Sequence, residues 1–248
     1  MNPLPKCFAG LNVVAMCLMA PNARCADVAI SSVVPAGYQL AFEQTFEKGE
    51  PLKQFVFTEA AAWKLSGEGK DRALELHKQS AYQPEVRSPV NIALIADRQF
   101  GDFILEADLV QTGKDADHRD MCLFFGLQNP KQFYYVHLAT KADPNAHNVF
   151  IVNNAPRKNF AEKTTTGVDW GRDVWHRVRL ERNVKAGTIR VYFDDIEKPI
   201  MEAKDTTFGA GNIGFGSFDD TGKVKSIRIW TPASDQPAKA RTEFYQRP

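Results

Sequence analysis

From residue 38 to residue 230 the chain is a succession of short apolar runs, each closed by a turn-forming cluster. About twelve such runs can be read, and none keeps a helical apolar period for long. The clearest is Phe103 to Val110. Phe103, Leu105, Ala107 and Leu109 fall on one face, and Ile104, Glu106, Asp108 and Val110 on the other, which is the period of a strand. A strand buries its apolar face only against other strands. Many short strands in a row therefore predict an all-β fold, a two-sheet antiparallel jelly-roll sandwich. Trp175 to Glu181 alternates in the same way, and Asp194-Asp195-Ile196-Glu197-Lys198 predicts a hairpin turn. The one helix-like patch, Phe160-Ala161-Glu162-Lys163, is short. Residues 231–248 are polar and carry prolines, so they are expected to form a flexible tail.

Residues 1–26 read as a secretory signal peptide. Lys6 supplies the positive start, Cys7 to Ala20 is apolar apart from Asn12, and Ala23-Arg24-Cys25-Ala26 offers small residues for cleavage. The apolar stretch is too short to span a bilayer. The expected destination is secreted or periplasmic, with no membrane association after cleavage, and residues 27–230 are expected to form a single domain. Removing Lys6 and Arg24 lowers the basic residues from 31 to 29, against 30 acidic ones. A near-neutral domain lacks the basic footprint of a nucleic-acid binder. Of the 4 cysteines only Cys122 would remain, so no internal disulfide is expected. A lone cysteine in an apolar strand reads as a small core residue.

Two patterns resemble the concanavalin A-like lectin/glucanase superfamily. One is Trp175-His176-Arg177-Val178-Arg179-Leu180 followed by Gly187-Thr188-Ile189-Arg190-Val191-Tyr192-Phe193-Asp194-Asp195. The other is Phe208-Gly209-Ala210-Gly211-Asn212-Ile213-Gly214-Phe215-Gly216, leading to Ile227-Arg228-Ile229-Trp230. Phe100-Gly101-Asp102-Phe103-Ile104-Leu105-Glu106-Ala107-Asp108 is similar to a strand of the 3-keto-disaccharide hydrolase domain family, which shares that fold. The resemblance implies a sandwich with a sugar-binding groove on one sheet face. It transfers no catalytic residue. Laminarinase-type members carry Glu-x-Asp-x-x-Glu on one strand, whereas Glu106-Ala107-Asp108 is followed by Gln111 where the second glutamate belongs.

The polar residues inside the apolar runs are the functional candidates. His118-Arg119-Asp120 opens the run Met121 to Gly126, and Phe133-Tyr134-Tyr135-Val136-His137-Leu138 is the next. Arginine can hold a carboxylate and aspartate can orient a histidine, so the triplet either braces a loop or faces a groove. Tyr134, Val136 and Leu138 should enter the core. Tyr135 and His137 would then face outward, as the floor of the groove. His118, Arg119, Asp120, His147, Asn153 and Arg157 would form its walls. For catalysis, His137 or His118 would be the base, Asp120 the orienter, and Arg119 or Arg157 the partner of developing negative charge. Tyr135, His147, Asn153, Arg119 and Arg157 are the candidate contacts to a carbohydrate ligand. A non-catalytic lectin-like module, or a structural or protein-binding sandwich, satisfies the same pattern.

His176 and Trp175 belong to the fold pattern, and His77 is expected to face solvent. His118, His137 and His147 are enough for zinc if they converge, which strand spacing does not show. No metal ligand is assigned and no cofactor is expected. Related sandwiches often bind a structural calcium near the last strands, which here would fall to Asp219 or Asp220.

Overall fold

A computed structural model describes residue 1 and residues 34–248. The expected signal peptide lies almost entirely outside the described residues. The strands, in chain order, are β1 (Tyr38–Gln44), β2 (Phe55–Phe57), β3 (Trp63–Ser66), β4 (Ala73–Leu76), β5 (Asn91–Ile95) and β6 (Arg98–Gln99). Next come β7 (Phe103–Gln111), β8 (Asp120–Asn129), β9 (Gln132–Ala139), β10 (Asn148–Asn153), β11 (Lys158–Asn159) and β12 (Ala161–Thr164). The last six are β13 (His176–Arg182), β14 (Thr188–Phe193), β15 (Met201–Lys204), β16 (Asn212–Ser217), β17 (Gly222–Pro232) and β18 (Ala238–Lys239). The helix-like patch is β12, an edge strand paired with β15. Tertiary pairing decides it, because four residues cannot nucleate a helix against a waiting sheet edge.

One sheet has 9 strands, ordered β12-β15-β14-β13-β7-β17-β4-β3 with β1 also on β17; the other has 7, ordered β11-β10-β9-β8-β16-β5-β2. All their pairings are antiparallel. The two sheets form the expected sandwich. Phe103, Leu105, Ala107 and Leu109 of β7 face Met121, Leu123 and Phe125 of β8, and Tyr134, Val136 and Leu138 of β9, across one apolar core. Each of the large aliphatic and phenylalanine side chains among them contributes about 1.5–3 kcal/mol by leaving water.

The outer face of the seven-stranded sheet is not open. Cys122, Phe124, Phe133, Tyr135, Phe150 and Val152 form a second core, covered by Tyr82, Val86, Phe244 and Tyr245. Part of that cover is the segment expected to be a loose tail. Gln246 exchanges backbone hydrogen bonds with Phe57 at 2.8 and 2.7 Å, and β18 pairs with β6. Arg247 holds Asp97 at 2.8 and 3.0 Å. Tyr245 is buried on the second core. The expectation of a flexible tail over 231–248 is therefore corrected: a polar composition hid one aromatic pair, Phe244-Tyr245, that the sheet needs as a lid.

Candidate functional site

β8 and β9 run side by side with Cys122 opposite His137 and Phe124 opposite Tyr135. Period two puts Asp120, Cys122, Tyr135 and His137 on the outer face, away from the main core. Asp120 begins β8 with no exposed surface. Its Oδ1 accepts from Ser217 Oγ at 2.9 Å, and its Oδ2 accepts from the Phe218 amide at 3.0 Å and from Cys122 Sγ at 3.0 Å. Its own amide donates to Asp220 Oδ2 at 3.0 Å. Asp120 thus fastens the loop after β16, residues 217–220, across the start of β8. His137 Nε2 lies 3.4 Å from Asp120 Oδ2.

Burial alone would raise the Asp120 carboxyl. The His137 ring and the hydrogen bonds from Cys122 and Phe218 reverse this and hold it below the usual carboxylate range. The neighbours move the other way. Burial, and next the Asp120 charge, push Asp220 up to about 6 and also raise Asp219. Burial and the same charge raise the Cys122 thiol well above its ordinary value, which leaves it a poor nucleophile.

A cavity of about 170 Å³ opens above this couple, lined by Arg87, His118, His137, Asn145, Arg157, Phe218 and Asp219. Against roughly 30 Å³ for one water in bulk, it admits a single small ring or acid group, not a length of polymer. Asp120 and the Ser217–Asp220 loop set its base. His118 is held at the rim by Asp143, Nε2 to Oδ2 2.5 Å. Asp143 is itself fixed by the Asn145 amide at 2.6 Å. Arg157 is bound to the loop carrying Arg87 through its backbone amide, 3.0 Å from the Arg87 carbonyl.

The structure therefore brings His118, His137 and Arg157 into one pocket, with Asp120 directly beneath. It does not bring in the rest. Tyr135, expected as an open ring on the groove floor, has no exposed surface. It is stacked on Phe150 with ring centres 5.0 Å apart, and its hydroxyl accepts from Arg157 at 2.8 Å. It supports the pocket from below. His147 is buried, with Nε2 2.9 Å from Thr165 Oγ1. Arg119 turns away to the Gly171 carbonyl at 2.8 Å and lines a separate cavity with Gln111, Lys114 and Arg172. Asn153 is exposed at the far end of β10 and accepts from Gln132 at 3.2 Å. The groove pictured across several strands is a small pocket, because loops and the C-terminal aromatics cover the remaining face. Arg87, Asn145 and Phe218 were not legible as site residues, since each sits in a loop whose path only the fold sets.

His176 is a fold residue, as expected: Nδ1 is 2.7 Å from Asp194 Oδ2 and the ring stacks on Phe193 at 4.5 Å. His77 is exposed. Among the described residues, two donor groups come within metal-binding range, Asp120–Cys122–His137 and Asp120–Asp219–Asp220, each with its atoms inside 4.8 Å. The first mixes nitrogen, sulfur and oxygen, a set suited to zinc. The second offers three carboxylates, about half of the six to eight oxygens calcium takes. In both, the Asp120 oxygens are already occupied by hydrogen bonds from the protein.

No family model matches the chain, and no curated protein matches it in sequence. Solved structures do match in fold. Carbohydrate binding module CBM66 from Bacillus subtilis aligns with a TM-score of 0.53 at 19% identity, over 72% of this chain and 96% of that one. Basic winged bean lectin with Tn-antigen aligns with a TM-score of 0.52 at 14% identity, over 78% and 98%. Winged bean acidic lectin complexed with methyl-alpha-D-galactose aligns at 0.51 and 13%, over 78% and 98%. The architecture is an all-β sandwich of two antiparallel sheets, the fold these solved structures share.

Proposed function

We propose that this chain is an exported, carbohydrate-binding sandwich that takes the end of a glycan into the pocket above Asp120 and His137. One observation carries the reading. On the outer face of the seven-stranded sheet, one cavity gathers two imidazoles, two guanidiniums, an amide, a carboxyl group and an aromatic ring. That is a dense set of hydroxyl partners around a site of single-ring size. The lectins and the binding module that share the fold support the choice of ligand, and the signal-like residues 1–26 support export to the periplasm or medium.

Cleavage is a second reading, favoured by a specific juxtaposition. Asp120, held ionised, stands beside His137, while Asp219, its carboxyl raised, lines the same pocket. A base oriented by one carboxylate and an acid across the cavity is an arrangement suited to breaking a glycosidic bond. Kinship with the 3-keto-disaccharide hydrolase domain family belongs to this reading.

A glycan array and a reducing-end release assay on the same sugars test both. Binding without release makes the protein a lectin-like module. Release that disappears in His137→Asn while binding persists makes it an enzyme. No binding across neutral and acidic glycans removes the carbohydrate reading and leaves a structural or protein-binding sandwich.

A further inference from the structure

We propose that the group this pocket selects is a carboxylate carried on a sugar ring, so that the ligand is a uronate-bearing glycan; this rests on the carbohydrate reading above. The argument starts from Arg157. Its guanidinium lies 4.2 Å from the Phe218 ring centre and 4.8 Å from the Phe150 ring centre. Nη1 donates to Tyr135 Oη at 2.8 Å. Two rings and a hydroxyl fix the plane of the fork, and all three are neutral.

Other shielded arginines of the protein are compensated. Arg177 meets Asp108 at 2.5 Å and Arg179 meets Glu106 at 2.9 Å. Arg182 donates to three backbone carbonyls, those of Gly187, Asp205 and Phe208. Among the described residues, no carboxylate lies within ion-pair distance of Arg157, nor of Arg87, which enters the same cavity and lies 6.0 Å from the Phe218 ring centre. A half-buried cation with one neutral acceptor is under-compensated. An anion entering the pocket would complete it, and the planar guanidinium matches a carboxylate by two parallel hydrogen bonds. Arg87, more exposed, would supply the second positive charge.

Asp219 is the one carboxyl group lining the cavity. Burial and the Asp120 charge raise it, and it makes no ion pair with Arg157 or Arg87, so neither guanidinium is neutralised by it. His118 and Asn145 at the rim are left for ring hydroxyls.

The test is calorimetric titration of the exported chain with galacturonate and glucuronate oligosaccharides, their neutral counterparts of equal length, and a sulfated galactoside. The expected result is a preference for the uronates of about tenfold or more, the scale of one charge-assisted hydrogen bond. Arg157→Gln and, separately, Arg87→Gln should reduce that preference, and the Arg87 variant should keep the melting temperature of the unaltered protein. Arg87 makes no side-chain hydrogen bond within the described fold, so its variant guards against misfolding. Equal binding of neutral and acidic sugars, or a preference that survives both substitutions, overturns the carboxylate assignment and leaves the carbohydrate reading standing. A sulfated sugar bound more tightly than either uronate overturns it too. Binding of none of these sugars overturns both.

Discussion

His137 Nε2 lies 3.4 Å from Asp120 Oδ2, and the same oxygen accepts from the Phe218 amide at 3.0 Å. One buried carboxylate thus sets the position of the pocket's imidazole and of the loop that carries its aromatic wall. The His137 side chain and the Ser217–Asp220 loop are therefore coupled: what loosens one loosens the other.

Replacing Asp120 by asparagine should expose that coupling. An amide cannot accept from all of Ser217, Phe218 and Cys122, so at least one buried donor is orphaned. The expected loss is about 2–4 kcal/mol in urea unfolding. With the Asp120 charge gone, the Asp220 carboxyl should titrate lower than its present value of about 6. Carbon-detected NMR of the aspartate side chains reads this directly.

His147 gives a pH dependence of definite sign. Burial, and next the charge of His137, lower it from 6.5 to about 4. A histidine whose folded pKa is depressed is held neutral in the fold, so stability is present above pH 6.5 and is lost as pH falls towards 4. The loss is on the order of 3 kcal/mol. Asp220 acts oppositely. Its raised carboxyl makes stability fall as pH rises from about 4 to about 6. His147→Gln should therefore flatten the acid limb, and with the histidine contribution removed, stability should decline slightly across that window. Unfolding midpoints at half-unit pH steps separate the two.

Cys122 should be inert in the folded protein. It has no exposed surface, and its thiol is raised well above the ordinary value by burial and by Asp120. A colourless-to-coloured thiol titration of a chain starting at residue 27, whose single cysteine is Cys122, should show almost no reaction in buffer and one equivalent in denaturant. Rapid reaction in buffer would mean that the second core opens.

The C-terminal aromatics should matter for stability. Tyr245 covers the second core with Tyr82 against it, ring centres 5.9 Å apart. Tyr245→Ala should cost about 2–4 kcal/mol, a large-to-small change at a buried site. A cost within about 0.5 kcal/mol, the level of an ordinary surface change, would restore the picture of a free tail.

Much of this architecture was readable from alternation. Phe103, Leu105, Ala107 and Leu109, and likewise Tyr134, Val136 and Leu138, face the core as their period demanded. Alternation says which side of a strand a residue takes. It does not say what lies over that side, which is why Tyr135 read as an open platform and is instead a buried support. The pocket itself depends on three loops meeting at Arg87, Asn145 and Phe218. Their meeting is set by long-range bonds such as Arg157 to Arg87 and Asp120 to Phe218, which no local spacing encodes. His118, His137 and Arg157 were legible because a charged or titratable residue beside an apolar strand needs a reason. Arg119 and Asn153 met the same criterion and found structural partners.

The most direct measurement uses the histidines. The chain has 5 of them, and their ring signals can be followed by proton–carbon NMR while a bound glycan is titrated in. The pocket predicts that the rings of His118 and His137 shift on binding while His77 and His176 stay still. Binding that moves His77 or His176 and leaves His118 and His137 unchanged would contradict the site.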